Sequence, residues 1–122
     1  MLFATNRTPS QSAKSKKGRK ISFSMQNTSV HQDMYFCRRN GVNDYIEVGN
    51  KVFFQELKEL GGKTQILFYI HGFNNLGESD IFPNAEIMQD MFDKRSLGLV
   101  YVVPLIWPCD DDSAITLMND YW

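Results

Sequence analysis

The feature that most constrains the fold is a pair of unbroken apolar runs separated by a segment with helical spacing. The runs are ILFYI at residues 66–70 and LVYVV at residues 99–103. Such runs are typical of parallel strands that are covered on both faces. We therefore predict a βαβ unit of an α/β domain, with residues 66–70 as a central parallel strand. Pro104 cannot donate to a ladder, so the second strand is expected to end or bulge there.

Two helices are predicted from the spacing of apolar residues. Pro83 suits the first turn of the crossover helix. One apolar face of that helix is formed by Ala85, Ile87, Met88, Met91 and Phe92. Asn50 can cap an earlier helix, which Gly61 and Gly62 would end. The apolar residues of that helix recur at i, i+4 and i+7, as Phe53, Leu57 and Leu60.

The N-terminal third is predicted to be mostly β. Residues 21–25 alternate between apolar and polar, as in a half-buried antiparallel strand near a sheet edge. Residues 34–38 and 45–48 are β-prone and flank Asn40 and Gly41, so a hairpin is expected. The fold class is thus α/β, with antiparallel N-terminal strands before parallel βαβ units in a three-layer, partial hydrolase-like sheet.

Residues 8–20 read TPSQSAKSKKGRK and offer almost nothing to a hydrophobic core. We predict a basic, flexible loop there. The alternative is a basic arm that touches nucleic acid or acidic lipid; contact with nucleic acid would use Lys14, Lys16, Lys17, Arg19 and Lys20. The solvated loop is favoured, because no aromatic residue is interleaved for base stacking and the net charge is −1.

Length and composition predict one soluble domain that spans residues 1–122. The chain is 43% hydrophobic and 22% charged, which is ordinary globular usage. No apolar run approaches the roughly 20 residues of a membrane span, and the N-terminus lacks the pattern of a signal peptide. A cytoplasmic protein without a membrane partner is expected.

The cysteines and the acidic run are predicted to be structural. Cys37 and Cys109 are far apart and form no CxxC pair, so we expect reduced thiols and no zinc site. The run Asp110, Asp111, Asp112 and Ser113 is interpreted as a cap for a helix at residues 114–121. The same acidic residues should raise the pKa of Cys109, which disfavours a cysteine nucleophile. No metal and no cofactor are expected.

The candidate catalytic segment directly follows the first apolar run. It consists of His71, Gly72 and Phe73, followed by two asparagines. Ligands bind at the carboxyl ends of parallel strands. A glycine allows a sharp turn, after which the backbone amide of Phe73 could stabilise an oxyanion. His71 and Gly72 would shape this loop. A lone histidine at a strand end is more often structural than catalytic.

These motifs resemble the α/β-hydrolase superfamily, in which a histidine-glycine loop after the third strand supplies part of the oxyanion hole. The sequence is most similar to a bacterial family of uncharacterised hydrolases. The shared motifs are HGFNN at residues 71–75, PLIWP at residues 104–108 and an opening like FATNR at residues 3–7. The resemblance implies the N-terminal portion of a serine hydrolase that cleaves esters or related acyl compounds. It also implies that His71 is not the general base.

The departure from the family is the missing nucleophile. No serine is flanked by glycines in a GxSxG elbow, and the sequence ends at Trp122 before any such motif. We therefore expect an incomplete domain that is inactive alone. In the superfamily the third and fifth strands are neighbours, so residues 66–70 would lose a partner. The expected partners are a complementary C-terminal hydrolase segment or further copies of the chain. The alternative is a non-catalytic binding or oligomerisation module of the same ancestry.

Overall fold

The computed structural model describes residues 1–24, 26–61, 65–71, 77–95 and 98–108. These residues form six strands, two α-helices and one π-helical turn. In chain order they are β1 Leu2–Arg7, β2 Lys20–Ile21, β3 Val30–Gly41, β4 Asp44–Glu47, α1 Gly49–Lys58, β5 Gln65–Ile70, the π-turn Gly77–Ile81, α2 Phe82–Arg95 and β6 Val100–Ile106. Neither α-helix is long and apolar enough to cross a membrane.

All six strands belong to one mixed sheet, with the order β2-β4-β3-β1-β6-β5. Strands β1 to β4 pair antiparallel with one another. Strand β6 is parallel to both β1 and β5. The predicted α/β class is therefore confirmed, as is the parallel pair of strands joined by α2.

Strand β5 lies at the edge of this sheet, so the prediction of a central strand is wrong for the described residues. The reason is topological, because β6 returns between β1 and β5. One side of β5 is then left without a described neighbour. Its side chains are correspondingly exposed, with Leu67 at 37%, Phe68 at 47% and Ile70 at 67%.

Pro104 lies inside β6 opposite Tyr69, so the prediction that the strand ends or bulges there is wrong. Alternate residues of β6 form the ladder with β5, beginning with the Leu99 carbonyl, which accepts the Gln65 N–H at 3.0 Å. By this alternation, the nitrogen of Pro104 faces away from β5. The ladder between these two strands therefore loses no hydrogen bond at the proline.

Gln89 of α2 occupies part of the other side of β6. Its Nε2 donates to the Val100 carbonyl at 2.8 Å, and its Oε1 accepts the Val102 N–H at 2.8 Å. Strand β1 pairs with β6 only at Leu105 and Ile106. The side-chain amide of Gln89 thus satisfies backbone groups where the neighbouring strand does not reach.

Two hydrophobic clusters form because side chains alternate along β1. Leu2 and Ala4 pack in a cluster with Phe53 of α1. Phe3 points the opposite way and packs in a cluster with Phe82 of α2. Both helices therefore cover apolar residues of the sheet. The complete three-layer arrangement remains a prediction.

The hairpin of β3 and β4 is confirmed, but its turn lies two residues later than expected. Gly41 pairs with Asp44, which leaves Val42 and Asn43 as the loop. Asn43, the second loop residue, adopts a positive φ of 54°. Asparagine tolerates this conformation better than most residues, whereas Asn40 stays in the strand.

Two further N-terminal predictions need correction. The strand expected at residues 21–25 is antiparallel and at the sheet edge, as predicted, but it is only the short β2, which pairs with β4 and ends at Ile21; Met25 lies outside the described residues. Asn50 does not cap α1, since the helix begins at Gly49 and its N-cap residue is Val48, without a side-chain hydrogen bond. The Asn50 Oδ1 instead accepts the N–H of Lys51 at 2.8 Å.

Candidate active site at the carboxyl ends of the parallel strands

The carboxyl ends of β1, β5 and β6 lie at the same end of the sheet, because β6 is parallel to both β1 and β5. His71 directly follows β5, and Trp107 directly follows β6. His71 and Trp107 belong to different sequence motifs and are 36 positions apart, but they are in contact at this end of the sheet.

His71 and Trp107 hold each other by two hydrogen bonds and a ring stack. The Trp107 backbone N–H donates to the His71 Nε2 at 3.0 Å, and the indole Nε1–H donates to the His71 carbonyl at 3.0 Å. Their rings are stacked, with centroids 4.8 Å apart and planes 10° apart. His71 is only 3% exposed. We call this pair the His–Trp clamp.

The clamp determines what His71 can do. Because the His71 Nε2 accepts a hydrogen bond, this atom carries no proton in the clamp. The Nε2 atom can take a proton only if the bond to Trp107 is lost. This geometry suits a residue that fixes the exit of β5, and the assignment of His71 as a loop-shaping residue remains a prediction.

The rest of the predicted oxyanion loop lies outside the described residues. This applies to Gly72, to Phe73 with its backbone amide, and to the two asparagines. The predictions for Cys109, for the acidic run and for a helix at residues 114–121 also fall outside the described part of the chain. All of them stay predictions.

A second feature is a carboxylate network around Glu78 of the π-turn, at the amino end of β1, where the Arg39 N–H donates to the Met1 carbonyl. Arg39 of β3 donates to Glu78 from Nη2 at 2.8 Å and from Nε at 3.1 Å. The Tyr45 hydroxyl and the Asn43 N–H also donate to Glu78, the latter at 3.1 Å. Burial alone would raise the pKa of Glu78, but these hydrogen bonds hold it below its usual value. Burial and the bond to Glu78 raise the pKa of Tyr45.

Sequence reasoning missed this Glu78 network. Its members come from β3, from the turn before β4, from β4 itself and from the π-turn, up to 39 positions apart. No local motif marks them, because each residue type is common on surfaces. The network fastens the π-turn to the antiparallel half of the sheet.

The basic loop is attached to the sheet through Glu47, which is 1% exposed. Arg19 donates its Nε–H to Glu47 at 2.7 Å, and the Ser15 hydroxyl and the Lys16 N–H donate to the same carboxylate. One of the five cations proposed for nucleic-acid contact is therefore directed inward. The flexibility of residues 8–20 stays a prediction.

Cys37 is fully buried in the cluster around Phe3 and forms no disulfide. Burial, with a smaller effect of Glu47, raises the pKa of its thiol to about 12. The thiol is therefore protonated at neutral pH and cannot act as a nucleophile. Within the described residues, no group of three or more His, Cys, Asp or Glu side chains could hold a metal ion.

Comparisons with protein-family models, curated proteins and solved structures gave no match for this chain. The resemblance to hydrolases therefore depends on the sequence motifs at residues 3–7, 71–75 and 104–108. The His–Trp clamp joins one residue of the second motif to one of the third. The two motifs are therefore in direct contact in the folded chain.

Proposed function

We propose that this chain supplies the oxyanion loop of a serine hydrolase that cleaves esters or related acyl compounds. The observation that carries the proposal is the position of β5. This strand is parallel to β6, lies at the sheet edge, and ends at the His–Trp clamp. In the superfamily that the motifs resemble, the nucleophile strand is the neighbour of the corresponding strand. The open side of β5 is where that neighbour would pair.

The open side of β5 offers hydrogen-bonding groups in a defined pattern. Gln65 donates to β6, so by alternation the backbone groups of Ile66, Phe68 and Ile70 face outward. An unpaired edge of this kind readily accepts another strand. Phe68 and Ile70, at 47% and 67% exposure, would become covered in the process.

The clamp supports catalysis in this proposal through rigidity. An oxyanion hole accelerates a reaction because its donors are held in place before the charge develops. His71 directly precedes Gly72 in the sequence, and both its ring and its carbonyl form hydrogen bonds with Trp107. The loop that carries the Phe73 amide therefore starts from an immobilised point.

The second candidate function is a binding module that oligomerises through β5. It is favoured by the exposed apolar residues of β5 and by Ile87 and Met91 of α2, which are 58% and 48% exposed. Two copies related by a two-fold axis across this edge would pair their β5 strands antiparallel. A nucleophile strand of a hydrolase would pair parallel, so strand direction separates the two functions.

The test is complementation of the chain with the C-terminal half of a hydrolase that shares the HGFNN loop, following p-nitrophenyl acetate cleavage. That C-terminal half carries the GxSxG serine, the acid and the histidine. The N-terminal half of the same hydrolase serves as the positive control. We expect each polypeptide alone to be inert and the complex to turn over the ester. A folded complex that stays inert would refute the proposal.

The backbone amide is tested in the same complex. Phe73→Pro removes the N–H, whereas Phe73→Leu keeps it. Loss of one oxyanion donor lowers kcat by about 100- to 1,000-fold, so that loss is expected for Phe73→Pro only. Size-exclusion chromatography checks that both variants still form the complex. Full activity of Phe73→Pro would remove Phe73 from the proposed role.

A further inference from the structure

A groove with a volume of about 240 Å³ lies between the basic loop and the start of α1. Its lining combines three elements that are distant in sequence: Ser15 and Lys17 from the loop, Met34 and Phe36 from β3, and Asn50 from α1. We call it the loop–helix groove. It shares no residue with the His–Trp clamp or with β5, so it is a separate site on the chain.

Lys17 is positioned by its contact with the first residue of α1. A Cβ on Gly49 would lie 3.0 Å from the Cγ of Lys17, so the lysine stem packs directly over the glycine backbone. Gly49 has a φ of 83°, which glycine adopts at little cost. Lys17 is exposed, so its stem is packed while its ammonium group stays accessible at the groove.

An exposed aromatic ring lies beside this groove. Phe54 of α1 is 46% exposed, and its ring centroid lies 5.5 Å from that of Phe36 in the groove lining. The preceding residue, Phe53, is buried in the cluster that joins α1 to the sheet. Phe54 is therefore held on an anchored helix with nearly half of its surface open to a ligand.

Two further lysines lie on the same side of α1 as Phe54. Lys51 is three positions before Phe54 and Lys58 is four positions after it, and residues at these spacings are neighbours on a helix surface. Both lysines are exposed. Neither they nor Lys17 form an ion pair with any residue that the structure describes. Three uncompensated positive charges thus surround the exposed ring.

The nearby negative charge is compensated or directed away. Glu47 also lines the groove, but it is 1% exposed and its carboxylate is neutralised by Arg19 at 2.7 Å. By helix periodicity, Glu56 and Glu59 lie on the side of α1 away from Phe54. The surface around the groove is therefore positive, although the whole chain has a net charge of −1.

We propose that the loop–helix groove binds single-stranded nucleic acid, with Lys17, Lys51 and Lys58 at the phosphates and Phe54 stacked on a base. The basic loop carries no interleaved aromatic residue in its own sequence, but the fold supplies one from α1. A basic groove with an aromatic stacking platform is how proteins bind single strands without sequence preference. The site stands whether or not the chain takes part in hydrolysis.

Binding is tested by titrating the chain into a fluorescein-labelled oligothymidylate of about 15 nucleotides and following the anisotropy. Three phosphate contacts predict a slope of about −2 for the logarithm of the association constant against the logarithm of the salt concentration. Phosphatidylglycerol vesicles are assayed in parallel, because a basic surface with an exposed apolar residue could also bind lipid. No oligonucleotide binding up to about 100 μM chain at low salt would overturn the proposal. Binding to the vesicles without binding to the oligonucleotide would also overturn it.

The stacking contact is tested by two changes at Phe54. Phe54→Leu removes the ring but keeps an apolar side chain, whereas Phe54→Tyr keeps the ring. Since stacking on one base accounts for at least about a fivefold difference in affinity, we expect that loss for Phe54→Leu and little change for Phe54→Tyr. Apolar insertion without stacking would tolerate leucine. Equal affinity of the two variants would therefore refute the stacking contact.

The position of the charge is tested by Lys51→Gln, with Lys94→Gln as the matched control. Lys94 lies on α2, where it pairs with Asp90 at 2.8 Å, and both variants change the net charge by the same amount. We expect Lys51→Gln alone to weaken binding several-fold and to reduce the salt slope by about 0.7. Equal effects of the two variants would contradict binding at this groove.

Far-UV circular dichroism and thermal midpoints establish which variants fold. A measurement on the unmodified chain keeps the location testable in any case. Photo-crosslinking to an oligonucleotide that contains 5-iodouracil, followed by mass spectrometry, should place crosslinks at Phe54 and at the neighbouring groove residues. Crosslinks confined to residues outside the loop–helix groove would contradict the assignment.

Discussion

Replacing Gln89 by methionine tests how the βαβ unit is held together. Methionine has nearly the same length and helix propensity as glutamine, but it cannot form the two hydrogen bonds to β6. The Val102 N–H, in a residue with 0% exposure, would lose its acceptor, and the Val100 carbonyl would lose one donor. The variant therefore removes the bridge from α2 to the strand, together with an exposed hydrogen bond from Gln89 Nε2 to Asp93 Oδ1 at 3.0 Å.

The size of the effect follows from burial. A buried N–H left without an acceptor costs about 1–3 kcal/mol, and the second bond contributes about 0.5–1.5 kcal/mol. The free energy of unfolding should thus fall by about 2–4 kcal/mol. For a domain of this size each kcal/mol lowers Tm by about 3–5 °C.

Urea unfolding followed by circular dichroism measures this change, with Gln55→Met as the control. Gln55 donates to Glu59 at 2.6 Å on the exposed face of α1, and surface changes of this kind stay within about 0.5 kcal/mol. Hydrogen exchange at the Val102 amide should accelerate in Gln89→Met alone. Equal stability of the two variants would refute the role given to Gln89.

The remaining predictions concern a carboxylate, a thiol and the clamp. Because the folded pKa of Glu78 is lowered, its stabilisation is complete above the unfolded pKa and is lost as pH falls through the folded pKa. The stability difference between the unmodified chain and Glu78→Gln, measured by urea unfolding, should therefore shrink at acidic pH. In a Cys109→Ser background, iodoacetamide should alkylate Cys37 only in denaturant, because its thiol is buried with a pKa of about 12. Trp107→Phe should lower the free energy of unfolding by about 0.5–1.5 kcal/mol, because the hydrogen bond from the indole N–H to the His71 carbonyl is lost. An unchanged free energy of unfolding would contradict a stabilising role of the His–Trp clamp.

Much of the parallel half of the fold could be predicted from the sequence because its signals are local. The two apolar runs and the helical spacing between them were sufficient to indicate β5, α2 and β6. The position of β5 at the edge could not be predicted, because strand order depends on where β6 returns. Pro104 was misread for a related reason. Its effect depends on which neighbour its nitrogen faces, and only the register of β6 decides that.

The candidate site was predictable only where a motif marked it. His71 stood out because a glycine follows it at the end of a buried-type strand, and Trp107 belonged to the second motif. Their mutual hydrogen bonds had no local signal, since the pairing spans 36 positions. The Arg39 and Glu78 pair was missed entirely, because single charged residues in strands and turns usually face water.

The most direct test of the account is hydrogen exchange along β5. In the chain alone at low concentration, the amides of Ile66, Phe68 and Ile70 should exchange rapidly, whereas Leu67 and Tyr69, which face β6, should be protected. In a complex with the C-terminal half of a hydrolase, the three outward amides should become protected as well. Outward amides already protected in the monomer, or still exchanging rapidly in a catalytically active complex, would contradict the proposal that a nucleophile strand pairs with this edge.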